Sequence, residues 1–264
     1  MQRRLKDLLG RFFYGTGLYR LFFRKKALIV LFHRVDDALG ENPISCTGDT
    51  FRAYCDFFRK YFRVVSLSEL IRRLEDGGAI GGRLVVTFDD GYLDNFRIAA
   101  KELEKRGMTA CFFLATDFVG SARVPSWDEE RGIRSAWMGW EDVRALERRG
   151  FELGAHTMSH VDLGKSGGEE AAREIAGSKE RLERELGREV TDFSYPFGGR
   201  NNLTEANRRE VRRAGFGSCL SAFGGCVAPG TSPYHLARMP VSPWYLTPYQ
   251  FGFEAMLEPP EETP

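Results

Sequence analysis

Long apolar runs are absent from these 264 residues. Nothing approaches the roughly 18 consecutive apolar residues of a bilayer-spanning helix, and runs such as Ala27 to Phe32 fall far short. Cysteine is scarce as well. Cys46, Cys55, Cys111, Cys219 and Cys226 are odd in number and irregularly spaced, which argues against a disulfide framework and fits a reducing compartment. Cys111 lies in the apolar stretch Ala110 to Ala115 and reads as a small core residue, and none of the five reads as a nucleophile. An excess of charge is also missing: 38 Lys+Arg stand against 37 Asp+Glu, so nucleic acid is not an expected partner. No signal peptide is expected either, because Arg11, Arg20, Arg24, Lys25 and Lys26 interrupt any apolar core. The expected location is therefore cytoplasmic. Repeats, low-complexity tracts and interdomain linkers are not visible.

What is present is material for one enzyme-sized domain, since 42% of the residues are hydrophobic and single α/β barrels commonly reach this length. Short apolar runs alternate with amphipathic stretches, the pattern of a parallel sheet or barrel. Strands are expected near 27–33, 63–66, 84–88, 109–115, 152–155, 192–196, 217–221 and 236–241, and helices over 50–61, 68–76, 94–106, 140–149, 169–187 and 204–214. Ser68 and Thr204 read as capped helix starts. The domain is placed at 27–257, followed by a disordered tail at 258–264.

The first 26 residues differ from the rest. They carry eight Lys/Arg against the single acid Asp7, which leaves the remaining chain net acidic. Leu5, Leu8, Leu9 and Phe12 recur at helical spacing, with Phe13, Leu18, Leu21, Phe22 and Phe23 nearby. A basic amphipathic segment of this kind lies on an anionic membrane surface, here the inner face, or packs across one end of the domain; Gly15 and Gly17 would interrupt a long interfacial helix.

Two strings carry the chemistry: Thr87-Phe88-Asp89-Asp90-Gly91 and His156-Thr157-Met158-Ser159-His160. Together they supply a three-ligand metal site and a spare carboxylate. A catalytic zinc-type site uses three His or carboxylate ligands and keeps a further position for water. Histidines at i and i+4 share one face of a helical turn. Adjacent aspartates point to opposite faces in a regular strand, so they converge only where the strand ends, and Gly91 permits the chain to turn away there.

With these two motifs the chain resembles the polysaccharide deacetylase family, the NodB-homology or carbohydrate esterase family 4 group, over about residues 27–245. The resemblance implies a distorted (β/α) barrel with about seven parallel strands. It makes Asp89 the general base and Asp90, His156 and His160 the ligands of a divalent metal: zinc, with cobalt or nickel as alternatives. His33, Asp89, Asp90 and His156 each fall at the carboxyl end of an expected strand, where barrel active sites are built. Ser194-Tyr195-Pro196-Phe197-Gly198 looks like the family's third motif, which implies that the Phe197 N–H helps hold the oxyanion.

Two departures from the family pattern matter. No convincing late histidine supplies the general acid, since only His235 follows the third motif. The apolar run that ends in His33 is similar instead to deacetylases of the permuted poly-N-acetylglucosamine type, which makes His33 the acid. The family's third motif also begins with an arginine that pairs with the catalytic aspartate, and Ser194 stands there. Arg238, in the late strand Leu236 to Val241, is the replacement expected to reach Asp89.

The implied reaction is metal-dependent N-deacetylation of an N-acetylated sugar in a polysaccharide or lipid-linked glycan. Trp137 is a candidate sugar platform, whereas Trp140 reads as packing at a helix start. Three other readings stay open: an amidohydrolase acting on a small cyclic amide or imide, a two-His-one-carboxylate iron oxygenase, and a non-catalytic glycan-binding module. The oxygenase has no use for Asp89, and a binding module none for Asp89 with His33.

Overall fold

A computed structural model describes residues 2–39, 42–134 and 136–258. Seven strands form a parallel ring in which neighbours in space are neighbours in sequence: β1 (Ala27–Phe32), β2 (Arg83–Phe88), β3 (Cys111–Leu114), β4 (Glu152–Ala155), β5 (Asp192–Ser194), β6 (Ser218–Gly224) and β7 (Leu236–Pro240). The ring closes through β1. Its Val30 lies opposite Met239 of β7, and its Leu28 to Phe32 run beside Leu84 to Phe88 of β2. This is the distorted barrel that the sequence leads one to expect. The strand expected near 63–66 is reduced to Arg63–Val64 beside the start of β2, and Cys226–Val227 adds an antiparallel pair to β1.

Side chains alternate across a strand, and that alternation builds two cores. Leu28, Val30 and Phe32 of β1 join the outer core beneath the helices, whereas Ala27 and Ile29 belong to an inner cluster with Val85, Cys111, Phe113, Leu220 and Leu236. Leu31 and His33 continue the inner series of β1 into the cavity at the carboxyl end, as Asp89 does just after β2. Space inside the ring is tight. A Cβ on Gly154 of β4 would stand 2.4 Å from the Phe113 ring and 2.8 Å from the Asp192 carbonyl, so only glycine fits there.

The helices are α1 (Arg3–Thr16), α2 (Tyr19–Phe22), α3 (Gly48–Tyr61), α4 (Leu67–Glu75), α5 (Ala100–Glu104), α6 (Ser126–Glu129), α7 (Trp140–Arg148), α8 (Gly168–Leu186), α9 (Glu205–Arg213) and α10 (Pro248–Leu257). The helix expected over 94–106 begins as a π turn at Asn95–Ala99. The cap of α4 is Ser66, whose side chain accepts from the Glu69 N–H at 3.1 Å, rather than Ser68; Leu67, Leu70 and Leu74 of this helix join the inner cluster. Thr204 caps α9 as expected.

No element was expected after residue 241, yet α10 is a principal packing element. Its apolar residues Phe251, Gly252, Phe253, Ala255 and Met256 run almost all round the helix, so they leave no amphipathic stripe to read. α10 packs against both α3 and α1, and a Cβ at its Gly252 would stand 2.7 Å from the Phe57 ring of α3 and from the Tyr14 ring of α1. Tyr14 of α1 is buried against Phe57, and Lys6 pairs with Glu254 at 3.0 Å. The inner face of residues 1–26 therefore packs across the domain. The tail expected at 258–264 lies, beyond Glu258, outside the described residues.

Candidate metal and catalytic site

Asp89 and Asp90 follow β2 directly, and the chain turns at Asp90 itself, whose φ is 75°, with Gly91 at 92°. The left-handed step takes Asp90 out of strand alternation, so both carboxylates reach the same cavity. The histidine motif is not a helical turn. Residues 156–160 form an irregular turn after β4, with Thr157 and His160 at φ 62° and 59°, and this turn brings the two imidazole centroids to 4.9 Å. The i, i+4 spacing thus has a different cause from the one its sequence suggests.

The donor set fits a divalent cation. The His156 Nδ1 meets the Ser194 carbonyl at 2.8 Å, which directs Nε2 toward Asp90, 3.4 Å from its Oδ1; the His160 Nε2 lies 3.2 Å from the same oxygen. One ligand atom from each of Asp90, His156 and His160 lies within 4.8 Å of the others. All three residues are buried, and among the described residues Asp90 Oδ1 accepts no hydrogen bond. Burying such a carboxylate oxygen against two imidazole nitrogens is costly without a cation to share.

Asp89 is held differently. The Arg238 guanidinium grips it with both arms, Nη1 to Oδ1 at 2.8 Å and Nη2 to Oδ2 at 2.7 Å, and the side chains of both residues are almost wholly buried. Ser194 closes the triangle: its hydroxyl accepts from Arg238 Nη2 at 2.6 Å and donates to Asp89 Oδ2 at 3.1 Å. Pairing between β6 and β7 slips between Leu236 and Arg238, an irregularity of the kind that re-aims a side chain beside a site. Burial alone would raise the Asp89 carboxyl; Arg238 and then His156 outweigh it and hold the group below the usual aspartate value.

His33 opens into the same cavity, which has a volume of about 350 Å³. Its ring is held below the ordinary histidine value by burial, with Asp90 and Asp89 acting in the opposite sense. Asn95 fixes its backbone by donating to the His33 carbonyl at 2.7 Å. Phe197 lies at the cavity mouth with a left-handed backbone, φ 60°, and a half-exposed ring 4.9 Å from that of His160. His235 is not in the cavity, because it precedes β7 and lies at the opposite end of that strand.

The platform expected at Trp137 is corrected. That indole is buried between Tyr92 and Phe118, with ring centroids 4.4 and 4.5 Å away, and its Nε1 donates to the Arg123 carbonyl. Trp127 lines the cavity instead, 4.6 Å from the His160 ring, and its Nε1 donates to the Tyr92 hydroxyl at 2.9 Å. The buried ion pair of Arg34 with Asp128 anchors α6, which carries Trp127.

Sequence reasoning also misses Glu174 of α8. Its carboxylate accepts from the Met158 and Ser159 N–H groups at 2.9 and 2.8 Å and from the Ser159 hydroxyl at 2.7 Å, clamping the turn that carries both histidines. A lone glutamate in an acidic helix gives no signal of this role. All five cysteines are free, and burial pushes the Cys46, Cys55 and Cys226 thiols up to about 12.

Residues 77–216 match the family model for polysaccharide deacetylase. Among curated proteins, the YxkH protein of Bacillus subtilis (strain 168), itself named for that family, is 26% identical over 160 residues. The alignment covers 61% of this chain and 52% of the relative, so the chain spans about half of that protein's length. Among solved structures, the deacetylase PplD of Streptococcus pyogenes in complex with acetate is similar in fold, with a TM-score of 0.74 at 19% identity, covering 89% of this chain and 99% of that one. IcaB from Ammonifex degensii gives a TM-score of 0.74 at 24% identity, covering 88% and 97%.

Proposed function

The chain belongs to the polysaccharide deacetylase family, and from that premise we propose that it hydrolyses the acetamido group of an N-acetylated sugar in a polysaccharide or lipid-linked glycan. The products are acetate and a free amine. The observation that carries this reading is the division of labour between adjacent carboxylates: Asp90 faces two imidazoles, whereas Asp89 is gripped by Arg238 in the same cavity. A site for metal binding alone has no need of the second carboxylate.

Asp90, His156 and His160 would hold the cation, for which we infer zinc, with cobalt or nickel as alternatives. When bound, a divalent ion there supplies Lewis acidity, lowering the pKa of water and polarising the acyl oxygen. Asp89, kept ionised by Arg238, takes a proton from the attacking water. The Phe197 N–H would help hold the developing oxyanion, the role the third motif implies, and His33 gives a proton to the departing nitrogen. Trp127 and Phe197 flank the mouth as apolar faces for a sugar ring.

Acetate release from N-acetylglucosamine oligomers, assayed with added zinc, cobalt or nickel, tests the proposal. Release that requires a divalent ion and is lost in Asp89→Asn supports it. Turnover of a cyclic imide without acetate release would transfer the same residues to the alternative amidohydrolase reading, and glycan binding with no turnover under any metal would leave only a binding module.

A further inference from the structure

The helix α1 has a second face that the fold leaves uncovered. Gly10 and Tyr14 are buried on the inner face, and Lys6 and Leu9 are partly so. On the outer face Leu5, Leu8 and Phe12 are 47, 63 and 56% exposed. They stand at i, i+3 and i+7, one stripe of a helix. Past Gly17, which ends α1, the apolar surface continues with Leu18, Leu21 and Phe22 exposed, the Phe22 ring 5.7 Å from that of Phe13. At the other end Arg3 stacks over Trp244, 4.9 Å from the ring, and donates to the Pro243 carbonyl, so the stripe meets the exposed Trp244 and Leu246. Trp244 follows Pro240, which lines the catalytic cavity, by only four residues.

Cations surround this apolar stripe. Arg4, Arg11, Arg20, Arg24 and Lys25 are exposed, and among the described residues Arg4, Arg24 and Lys25 form no ion pair. Contiguous exposed apolar side chains edged by basic ones match neither a simple solvated face nor a second copy of the same surface, whose positive charges would repel. They match a layer that offers apolar depth and negative headgroups together. We infer that α1, α2 and the Trp244–Leu246 segment form a docking face for an anionic lipid bilayer, whose Trp244 end lies next to the carboxyl end of the barrel where the catalytic cavity opens. On that bilayer the enzyme meets glycan held at the membrane surface. This last point rests on the deacetylase reading; the docking face does not.

The full chain is tested by sedimentation with vesicles of phosphatidylcholine alone and of phosphatidylcholine with phosphatidylglycerol, with Trp fluorescence recorded in parallel. Deleting α1 is avoided because its inner face is packed, whereas substitutions on the exposed face leave that packing alone. The expected result is binding to the anionic vesicles, weakened by salt. Leu8→Glu with Phe12→Glu should weaken it at least about tenfold, and replacing Arg4, Arg24 and Lys25 by glutamine should cost about fivefold per cation. Acetate release from a soluble oligomer should not change in either variant, so loss of binding and loss of catalysis stay distinguishable. Absence of binding to anionic vesicles, or binding that survives both sets of substitutions, overturns the inference. Self-association abolished by Leu8→Glu and Phe12→Glu, with no vesicle binding, would show that a second copy covers the face instead.

Discussion

Asp89 and Asp90 are both buried at one cavity, and Arg238 lies against Asp89 to offset the second negative charge. A carboxyl held below its unfolded value contributes stability that is present above about pH 4 and lost as the pH falls through the folded value. Removing the guanidinium leaves burial to raise that carboxyl. Arg238→Ala should therefore move the acidic limb of the kcat/KM profile to higher pH and destabilise the protein by about 3–5 kcal/mol, the cost of stranding one partner of a buried pair. Arg238→Lys, which keeps the charge without the fork, should shift the limb less; an unmoved limb in both would separate Arg238 from the base. The adjacent carboxylates should also divide in metal analysis. Asp89→Asn is expected to lower kcat by about 10²–10⁴-fold and keep the metal, whereas Asp90→Asn loses metal; equal metal loss would reverse the assignment. Glu174 touches no ligand atom, yet it fixes the turn between the histidines. Glu174→Gln should weaken metal binding by about 10–100-fold in a competition titration with little change in melting temperature.

At the scale of elements, the strands are legible as short apolar runs. Ala27-Leu28-Ile29-Val30-Leu31-Phe32 and Leu84-Val85-Val86-Thr87-Phe88 are buried along their whole length, as strands covered on both faces are, and their carboxyl ends locate His33 and Asp89. The late strand that carries Arg238 is legible too. The conformation of the histidine turn is not, because it depends on left-handed Thr157 and His160, residue types that give no warning of such a backbone, and on a distant glutamate. Helix α10 escapes for a different reason: it is apolar almost all round, so it leaves no amphipathic stripe to read. Its contact with α1 is close enough to test. A Cβ at Gly10 would stand 2.0 Å from the Tyr249 carbonyl oxygen, whereas Gly15 has open space. Gly10→Ala should cost about 1–3 kcal/mol by forcing the helices apart, and Gly15→Ala should be neutral or stabilising by up to about 1 kcal/mol. Equal melting temperatures for the two variants would mean that α1 is not packed as described.

Across the whole molecule, the candidate ligands come from two strands that are not neighbours in the ring, with β3 between β2 and β4. Holding Asp90 against His156 and His160 therefore fixes the carboxyl ends of β2 and β4 relative to each other, and the unfolded chain, in which these residues are far apart, offers no comparable site. A cation that binds only the folded form stabilises it by mass action, by about 2.7 kcal/mol at a hundredfold excess over its dissociation constant. For a domain of this size that amounts to a rise of roughly 5–10 °C in melting temperature. Thermal melts of chelated protein with zinc, cobalt or nickel returned singly should show that rise, and the ion giving the largest shift at equal concentration identifies the preferred metal. The rise should survive in Asp89→Asn, since Asp89 is engaged by Arg238 and Ser194, and disappear in Asp90→Asn. A melting temperature indifferent to chelation and to all three ions would mean that Asp90, His156 and His160 do not form a metal site, and the proposed hydrolysis would lose its Lewis acid along with them.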